Sequence, residues 1–170
     1  MTASDRDPNA NVYPFEQERA AEYDYHAVAH GLAIGPDSSS ARRTIDITTV
    51  GARSGIPRRI EVWYHRVDGR WYLTGMPVPR SWYANLRANP RFVVHLKHGV
   101  TADLRATAAP VDEPTRRKVI SAVLDLQDQP DIATRISRRQ DLNAWLARSP
   151  LVEIVFNDEQ LRTASSARSG

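Results

Sequence analysis

Apolar and polar residues alternate along six short stretches of the chain, and a period of two predicts β-strands. In the first stretch Ile45, Ile47 and Thr49 share one face, opposite polar residues. The dipeptide Asp68-Gly69, between the second and third stretches, is typical of a tight β-hairpin turn. The predicted strands are residues 43–50, 58–67, 71–75, 91–97, 100–109 and 151–156.

Helix formers and helix-boundary residues occupy the stretches between the predicted strands. Gly31 is expected to end the first helix, Ser81 to cap a two-turn helix, and Asn89 to close that helix in a left-handed conformation before Pro90. Longer helices are predicted at residues 14–30, 113–126 and 132–147. Strands with helices at the ends and on one side predict an α+β protein, a small antiparallel barrel that is either closed or split.

The length of 170 residues is typical of one domain with its own core. We predict a single domain over residues 14–157, between a disordered N-terminus, residues 1–13, and a disordered tail, residues 158–170. The first residues are not a secretory signal, and no later stretch is apolar enough for a membrane span. The chain has no cysteine, which excludes disulfides and thiolate metal sites, so we expect a cytoplasmic protein.

The charge balance bears on the kind of partner. Lys and Arg total 23 against 20 Asp and Glu, a net charge of +3, and all but two of the basic residues are arginine. Nucleic-acid-binding surfaces usually carry a denser basic face with interleaved aromatic residues. Here acidic residues are scattered among the arginines, which favours an acidic small molecule as the partner and argues against nucleic acid.

Two histidine pairs were considered as metal ligands. His26 and His30 lie four apart on a predicted helix, but Ala27 stands where the helix of a zinc protease has its glutamate. His95 and His98 lie three apart on or beside a strand, which puts them on opposite faces. We therefore predict no metal site.

A basic glycine turn, residues 51–58, joins the first two predicted strands. Its two glycines permit positive φ, so that successive backbone N–H groups point into one concavity, where an anion is bound readily. Arg53, Ser54 and Arg58 add side-chain donors that suit phosphate or carboxylate oxygens. The turn is interpreted either as an anion clamp or as an ordinary hairpin loop with solvated arginines.

The two-turn helix that follows the third strand begins with two aromatic residues. Trp82 and Tyr83 either pack this helix on the sheet or, in the case of Trp82, present an indole edge to a ligand beside the free N–H groups of the first turn.

The segment 48–58, followed by Trp82-Tyr83-Ala84-Asn85-Leu86-Arg87-Ala88-Asn89-Pro90, resembles the deazaflavin-dependent nitroreductase family. These are split β-barrel oxidoreductases of actinobacteria that use coenzyme F420. The resemblance covers about residues 43–110 and implies a split barrel of about six strands. It also implies a cofactor site in which the glycine turn holds the phosphate and acidic tail, the backbone after the third strand lies beside the ring, and two aromatic residues line the groove. The residues implied are Arg53, Ser54, Gly55, Arg58, Thr74, Gly75, Met76, Trp82 and Tyr83.

The activity implied by the resemblance is hydride transfer from reduced F420 to a quinone, an enone or a nitro compound. In relatives a tyrosine is the expected proton donor. The family's strand-two tyrosine aligns with Trp63 here, so Trp63 and its neighbour Tyr64 are the candidates near the ring, and the catalytic residue stays unassigned. Two alternatives remain open: a flavin enzyme that binds FMN, and a split barrel that binds a cofactor or ligand without catalysis. Homodimer formation and peripheral membrane contact are also left open.

Overall fold

The computed structural model describes residues 22–127 and 140–166 as six strands and six helices. The strands are β1 (Thr44–Val50), β2 (Pro57–Val67), β3 (Arg70–Thr74), β4 (Arg91–Leu96), β5 (Ala102–Ala109) and β6 (Leu151–Phe156). The helices are α1 (Tyr25–Leu32), α2 (Ser40–Arg43), α3 (Ser81–Ala88), α4 (Glu113–Gln127), α5 (Leu142–Arg148) and α6 (Glu159–Ser166).

The strands form a closed antiparallel barrel in the order β1-β2-β3-β6-β5-β4. The expected α+β barrel with flanking helices is therefore confirmed. Its interior is filled by the inward-facing residues of all six strands, among them Ile45, Ile47, Tyr64, Leu73, Val94, Leu104, Ile154 and Phe156. A second cluster lies between the barrel's outer face and two helices, where Tyr72 and Leu151 pack with residues of α4 and α5.

The pairing of β2 is incomplete on one side. Residues from Pro57 to Trp63 pair with β1, but β3 pairs with β2 only from Tyr64 to Val67. Within the described ranges, the other edge of residues 57–63 has no strand partner. The turn that joins β2 to β3 is the predicted hairpin, with positive φ at both Asp68 (52°) and Gly69 (76°).

The start and end of α1 differ from the prediction. Residues 14–21 lie outside the described ranges, and α1 begins at Tyr25, where the Asp24 carboxylate accepts hydrogen bonds from the N–H groups of His26 and Ala27. Gly31 does not end the helix, which continues to Leu32. A Cβ atom at Gly31 would lie 2.7 Å from Val100 Cγ1, so this glycine permits close packing of α1 on the β4–β5 connection.

Both predicted caps of α3 are wrong. Ser81 is the first helical residue, and the N-cap position is held by Arg80, whose side chain makes no capping bond. Asn89 is extended, with φ −133°, and not left-handed. The following Pro90 explains this, because proline restricts the residue before it to extended conformations.

The predicted disorder of the tail is wrong for residues 159–166, which form α6. The Asp158 carboxylate accepts a hydrogen bond from the N–H of Gln160 (2.9 Å), and Leu161 is only 2% exposed in the main core. The Tyr25 hydroxyl also donates to the carbonyl of Gln160 (3.1 Å). One buried leucine, one local capping bond and one long-range hydrogen bond from α1 hold a segment whose composition is otherwise polar.

Some predictions fall outside the described residues. They are the disordered N-terminus, the last residues of the tail, and residues 132–139 of the predicted 132–147 helix. Residues 140 and 141 are described and not helical, because Asp141 caps α5, which begins at Leu142. In the part of the chain that is described, no helix is both long and apolar enough to cross a membrane.

Candidate functional site

The glycine turn between β1 and β2 is closed by its own backbone. The Gly51 N–H donates to the Ile56 carbonyl and the Gly55 N–H to the Gly51 carbonyl, both at 2.9 Å. Gly55 has φ +66°, a left-handed conformation that favours glycine, and a Cβ atom at Gly51 would collide with Ser54 Oγ. Ser54 Oγ itself accepts from the Ile56 N–H (3.2 Å), so its hydroxyl hydrogen is left to donate to a ligand.

Asn85 of α3 ties this turn to the rest of the fold. Its Oδ1 accepts from the Ala52 N–H (2.9 Å) and its Nδ2 donates to Thr49 Oγ1 (3.1 Å). Asn85 is only 8% exposed. This role of Asn85 was not predicted. A polar residue between Trp82 and Leu86, on the packed side of a short helix, indicates a buried hydrogen-bonding group.

We expect Asn85→Ala to lower the free energy of unfolding by about 1–2 kcal/mol, because it leaves the Ala52 N–H and the Thr49 hydroxyl without their partner. Urea denaturation followed by tryptophan fluorescence measures this. Asn143→Ala, at an exposed position of α5, is the matched control. Equal midpoints for the two variants would contradict the role of Asn85.

The arginines of the turn are accessible and unpaired. Arg53 and Arg58 are exposed and form no ion pair with the described residues. Their neighbour Arg59 instead pairs with Asp46 Oδ2 at 2.9 Å. Asp46 also accepts from Lys97 (2.7 Å), and this bond is the main cause of the lowered pKa of its carboxyl. The nearby carboxylate is thus already neutralised, and two guanidinium groups remain available for an anion.

Exposed apolar residues lie on the same side of the barrel as the turn. Among the described residues, the large apolar side chains that are exposed are Ile56, Ile60, Met76 and Val78, at 55%, 37%, 43% and 46%. They belong to the turn, to the unpaired half of β2, and to the connection from β3 to α3. That connection leaves β3 beside Trp63 and reaches α3, which contacts the turn through Asn85. The arrangement suits a ligand with an apolar ring and an anionic tail.

The remaining predicted cofactor residues differ in how accessible they are to a ligand. Thr74 is buried and its hydroxyl donates to the Pro150 carbonyl (2.7 Å), so its side chain is already used. Gly75 is partly buried and Met76 is exposed. Trp82 lies in the core and is 7% exposed. Tyr83 is partly buried, and its ring is edge-on to that of Trp82, with 6.0 Å between the ring centroids. The packing interpretation therefore holds for the Trp82 ring, and Tyr83 is the more accessible of the two aromatic residues.

The two candidates near the ring lie on opposite faces of β2. Tyr64 points into the barrel, is 1% exposed, and donates its hydroxyl to the Gly31 carbonyl (3.1 Å). Burial raises the pKa of Tyr64 to about 12. Trp63 is partly buried on the other face, at the position where β2 and β3 separate.

The members of the two histidine pairs lie in different surroundings. His26 and His30 are both exposed on α1. His95 is buried, with Nδ1 2.6 Å from Asp103 Oδ1 and Nε2 2.7 Å from Thr48 Oγ1, and His98 is exposed beyond the strand. Among the described residues, no group of three or more His, Cys, Asp or Glu side chains is arranged to hold a metal ion.

Comparison with known proteins gives one family and several similar structures. The sequence model of the F420H(2)-dependent quinone reductase family matches residues 19–144. A conserved hypothetical protein from Mycobacterium tuberculosis has a similar structure, with a TM-score of 0.55 and 21% identity over 84% of this chain and 86% of that one. A FAD-binding protein from Mesorhizobium loti has a TM-score of 0.50 and 18% identity over 82% and 93% of the two chains. Among curated proteins, none matches this chain. The similar structures show the fold alone, whereas the family match covers well over half of the sequence, so the chain belongs to the F420H(2)-dependent quinone reductase family.

Proposed function

We propose that this F420-dependent reductase passes a hydride to a quinone-type acceptor and holds the anionic tail of its cofactor on the glycine turn. The observation that carries the proposal is the pair of exposed, unpaired arginines on a turn that Asn85 fixes in place. Family membership supports the cofactor and the redox class of the reaction. Nitro compounds and enones are further acceptors that the same chemistry would serve.

The residues present fit a cofactor of this kind. Arg53 and Arg58 would bind phosphate or carboxylate oxygens with charge-assisted hydrogen bonds, and Ser54 would add its hydroxyl hydrogen. Gly55, with its positive φ, keeps the turn free of a side chain at that point.

The apolar part of the site would orient the reacting ring. The exposed Met76, the backbone of Gly75 and the partly buried Tyr83 offer apolar and backbone contacts along the unpaired half of β2. When bound, coenzyme F420 supplies the hydride from its reduced deazaflavin ring. The chain's own residues would hold that ring close to the acceptor and keep water away, which is how a protein accelerates a reaction whose chemistry belongs to the cofactor.

Tyr64 is not placed to supply a proton, because its hydroxyl is inside the barrel and bonded to Gly31. We expect Tyr64→Phe to leave the turnover number unchanged and to lower the free energy of unfolding by about 1 kcal/mol, the contribution of one lost hydrogen bond. Steady-state oxidation of reduced F420 and urea denaturation measure the two quantities. A turnover number that fell tenfold without loss of stability would assign Tyr64 to the reaction after all.

The proposal is tested by calorimetric titration of the purified protein with F420 and, in parallel, with FMN. We expect saturable binding of F420 at micromolar concentration and weaker binding of FMN. Oxidation of reduced F420 is then followed with a quinone, an enone and a nitroaromatic compound as acceptors. Preference for FMN would overturn the cofactor assignment, and tight F420 binding without turnover on any of the three would leave a binding protein and not a reductase.

A further inference from the structure

The connection from β3 to α3, residues 75–80, has few backbone donors for a ligand. Pro77 and Pro79 have no N–H group. The N–H of Val78, which lies between them, donates to the Met76 carbonyl at 2.7 Å and is therefore already used. Because the side chains of Met76 and Val78 are exposed, the middle of the connection can pack on a ring but cannot donate a backbone hydrogen bond to it.

Arg80, the last residue of this connection, places a charged donor beside it. Its guanidinium is exposed and forms no hydrogen bond, ion pair or ring contact with any described residue. The side chain bends back along the connection, because a Cβ atom at Gly75 would lie 3.8 Å from Arg80 Nε. The guanidinium therefore lies next to the residue at which the chain leaves β3.

The elements around this guanidinium contribute no free carboxylate. The glycine turn, the connection and α3 contain no Asp or Glu. The unpaired half of β2 has one acidic residue, Glu61, and its carboxylate pairs with Lys97. The positive charge of Arg80 is thus available to a ligand atom that carries negative charge.

The ring of a deazaflavin requires donors on one edge. Its pyrimidine ring carries two carbonyl oxygens, and a carbonyl that loses water on binding without gaining a donor is destabilised. Where the backbone offers no N–H group, a side chain has to supply one. Arginine suits such an edge, because its planar guanidinium presents N–H groups to two neighbouring acceptors.

From these contacts we propose that Arg80 binds the carbonyl edge of the cofactor ring and replaces the backbone donors that the connection lacks. The inference rests on the proposed function, in which the ring lies beside Gly75. A residue without a side chain at that position leaves the space next to the guanidinium open. Arg80 would then orient the ring, whereas Arg53 and Arg58 would hold the anionic tail.

The test compares F420 with its phosphate-free deazariboflavin fragment, which keeps the ring and lacks the anionic tail. In calorimetric titration of the full chain, Arg80→Met should weaken the binding of both ligands about tenfold, because both contain the ring. Arg80→Lys, which keeps the charge and loses the fork, should recover part of the affinity. Arg53→Ala combined with Arg58→Ala should weaken the binding of F420 and leave that of the fragment unchanged.

The matched control is Arg148→Met, which removes an exposed arginine at the end of α5 and should bind both ligands as the wild-type protein does. Absence of F420 binding by the wild-type protein would overturn the proposed function and this inference with it. F420 binding that Arg80→Met leaves unchanged would overturn the inference alone. A loss confined to F420, or a fragment that does not saturate the wild-type protein at millimolar concentration, would also overturn the assignment of Arg80 to the ring.

A second measurement separates a charge at the ring from a structural role. The ring of F420 has an ionisable hydroxyl group conjugated with its carbonyl edge, and deprotonation of this group changes the absorption spectrum. A guanidinium at that edge favours the anionic form. The midpoint of deprotonation of bound F420 should therefore lie at lower pH with the wild-type protein and Arg80→Lys than with Arg80→Met. Equal midpoints in the three complexes would contradict the inference.

Discussion

Replacing both Arg53 and Arg58 with alanine is expected to weaken F420 binding by about 3 kcal/mol, roughly a hundredfold in the dissociation constant. Each charge-assisted hydrogen bond to phosphate or carboxylate contributes about 1.5–3 kcal/mol, and the exposure of both side chains reduces the sum. Stability should change little, because neither arginine forms an ion pair with the described residues. Calorimetric titration with F420 measures the affinity. Raised salt should weaken F420 binding by the wild-type protein more than binding by the variant.

The matched control is Arg70→Ala combined with Arg117→Ala. It removes the same charge from the start of β3, where Arg70 pairs with Glu153, and from α4, both away from the turn. If it weakened F420 binding as much as the first pair, the arginines of the turn would act only through net charge. Unchanged affinity in the first double variant would remove the glycine turn from the cofactor site.

Lowering the pH from 7 to 5 is expected to remove about 2 kcal/mol of stability through His65 alone. Burial, and secondarily the charge of Arg43, lowers the pKa of His65 from 6.5 to about 3 in the folded protein. The unfolded chain therefore binds the proton first as the pH falls, so the stability contributed above pH 6.5 is lost progressively down to about pH 3. The charged residues that line the cavity beside His65 are Arg43 from α2, Arg66 from its own strand and Asp125 from α4, and of these Arg43 acts on the His65 ring.

Urea denaturation at pH 7 and pH 5 measures this loss of stability. In His65→Gln the loss between the two pH values should be smaller by about the stated amount. His98→Gln, which removes an exposed histidine, should lose as much stability as the wild-type protein. The ring signals of His65 in the folded protein should show no protonation before acid unfolding. A titration midpoint near 6.5 for that ring would refute the prediction.

The barrel could be predicted from the sequence because its signals are local. Alternation with a period of two located β6 at the residues observed, and Asp68-Gly69 identified the hairpin because both residues adopt positive φ. Helix ends were harder to predict. Gly31 is typical of a helix end, but here it lies within α1. A glycine is needed at this position because Val100, distant in sequence, leaves no room for a side chain.

The turn that we propose as an anion clamp could be predicted only in part for the same reason. Glycine spacing and basic residues identified the turn, but its attachment to α3 through Asn85 depends on how helix and turn meet in three dimensions. Tyr64 is a candidate proton donor in sequence because it stands next to Trp63. Its enclosed hydroxyl, bonded to the Gly31 carbonyl inside the barrel, is evident only from the structure. The cavity beside His65 joins α2, α4 and β2, three elements that no sequence spacing connects.

The unpaired half of β2 bears on how this protein avoids aggregation. A strand edge with free amide and carbonyl groups is a template for pairing with another chain, and here the exposed Ile60 lies on that strand. Arg58 and Arg59 place charge beside it, a common protection of natural sheet edges. A cofactor lying along this edge would cover it as well, so the same molecule that supplies the chemistry would shield the strand from association, and the cofactor-free chain would rely on its arginines alone.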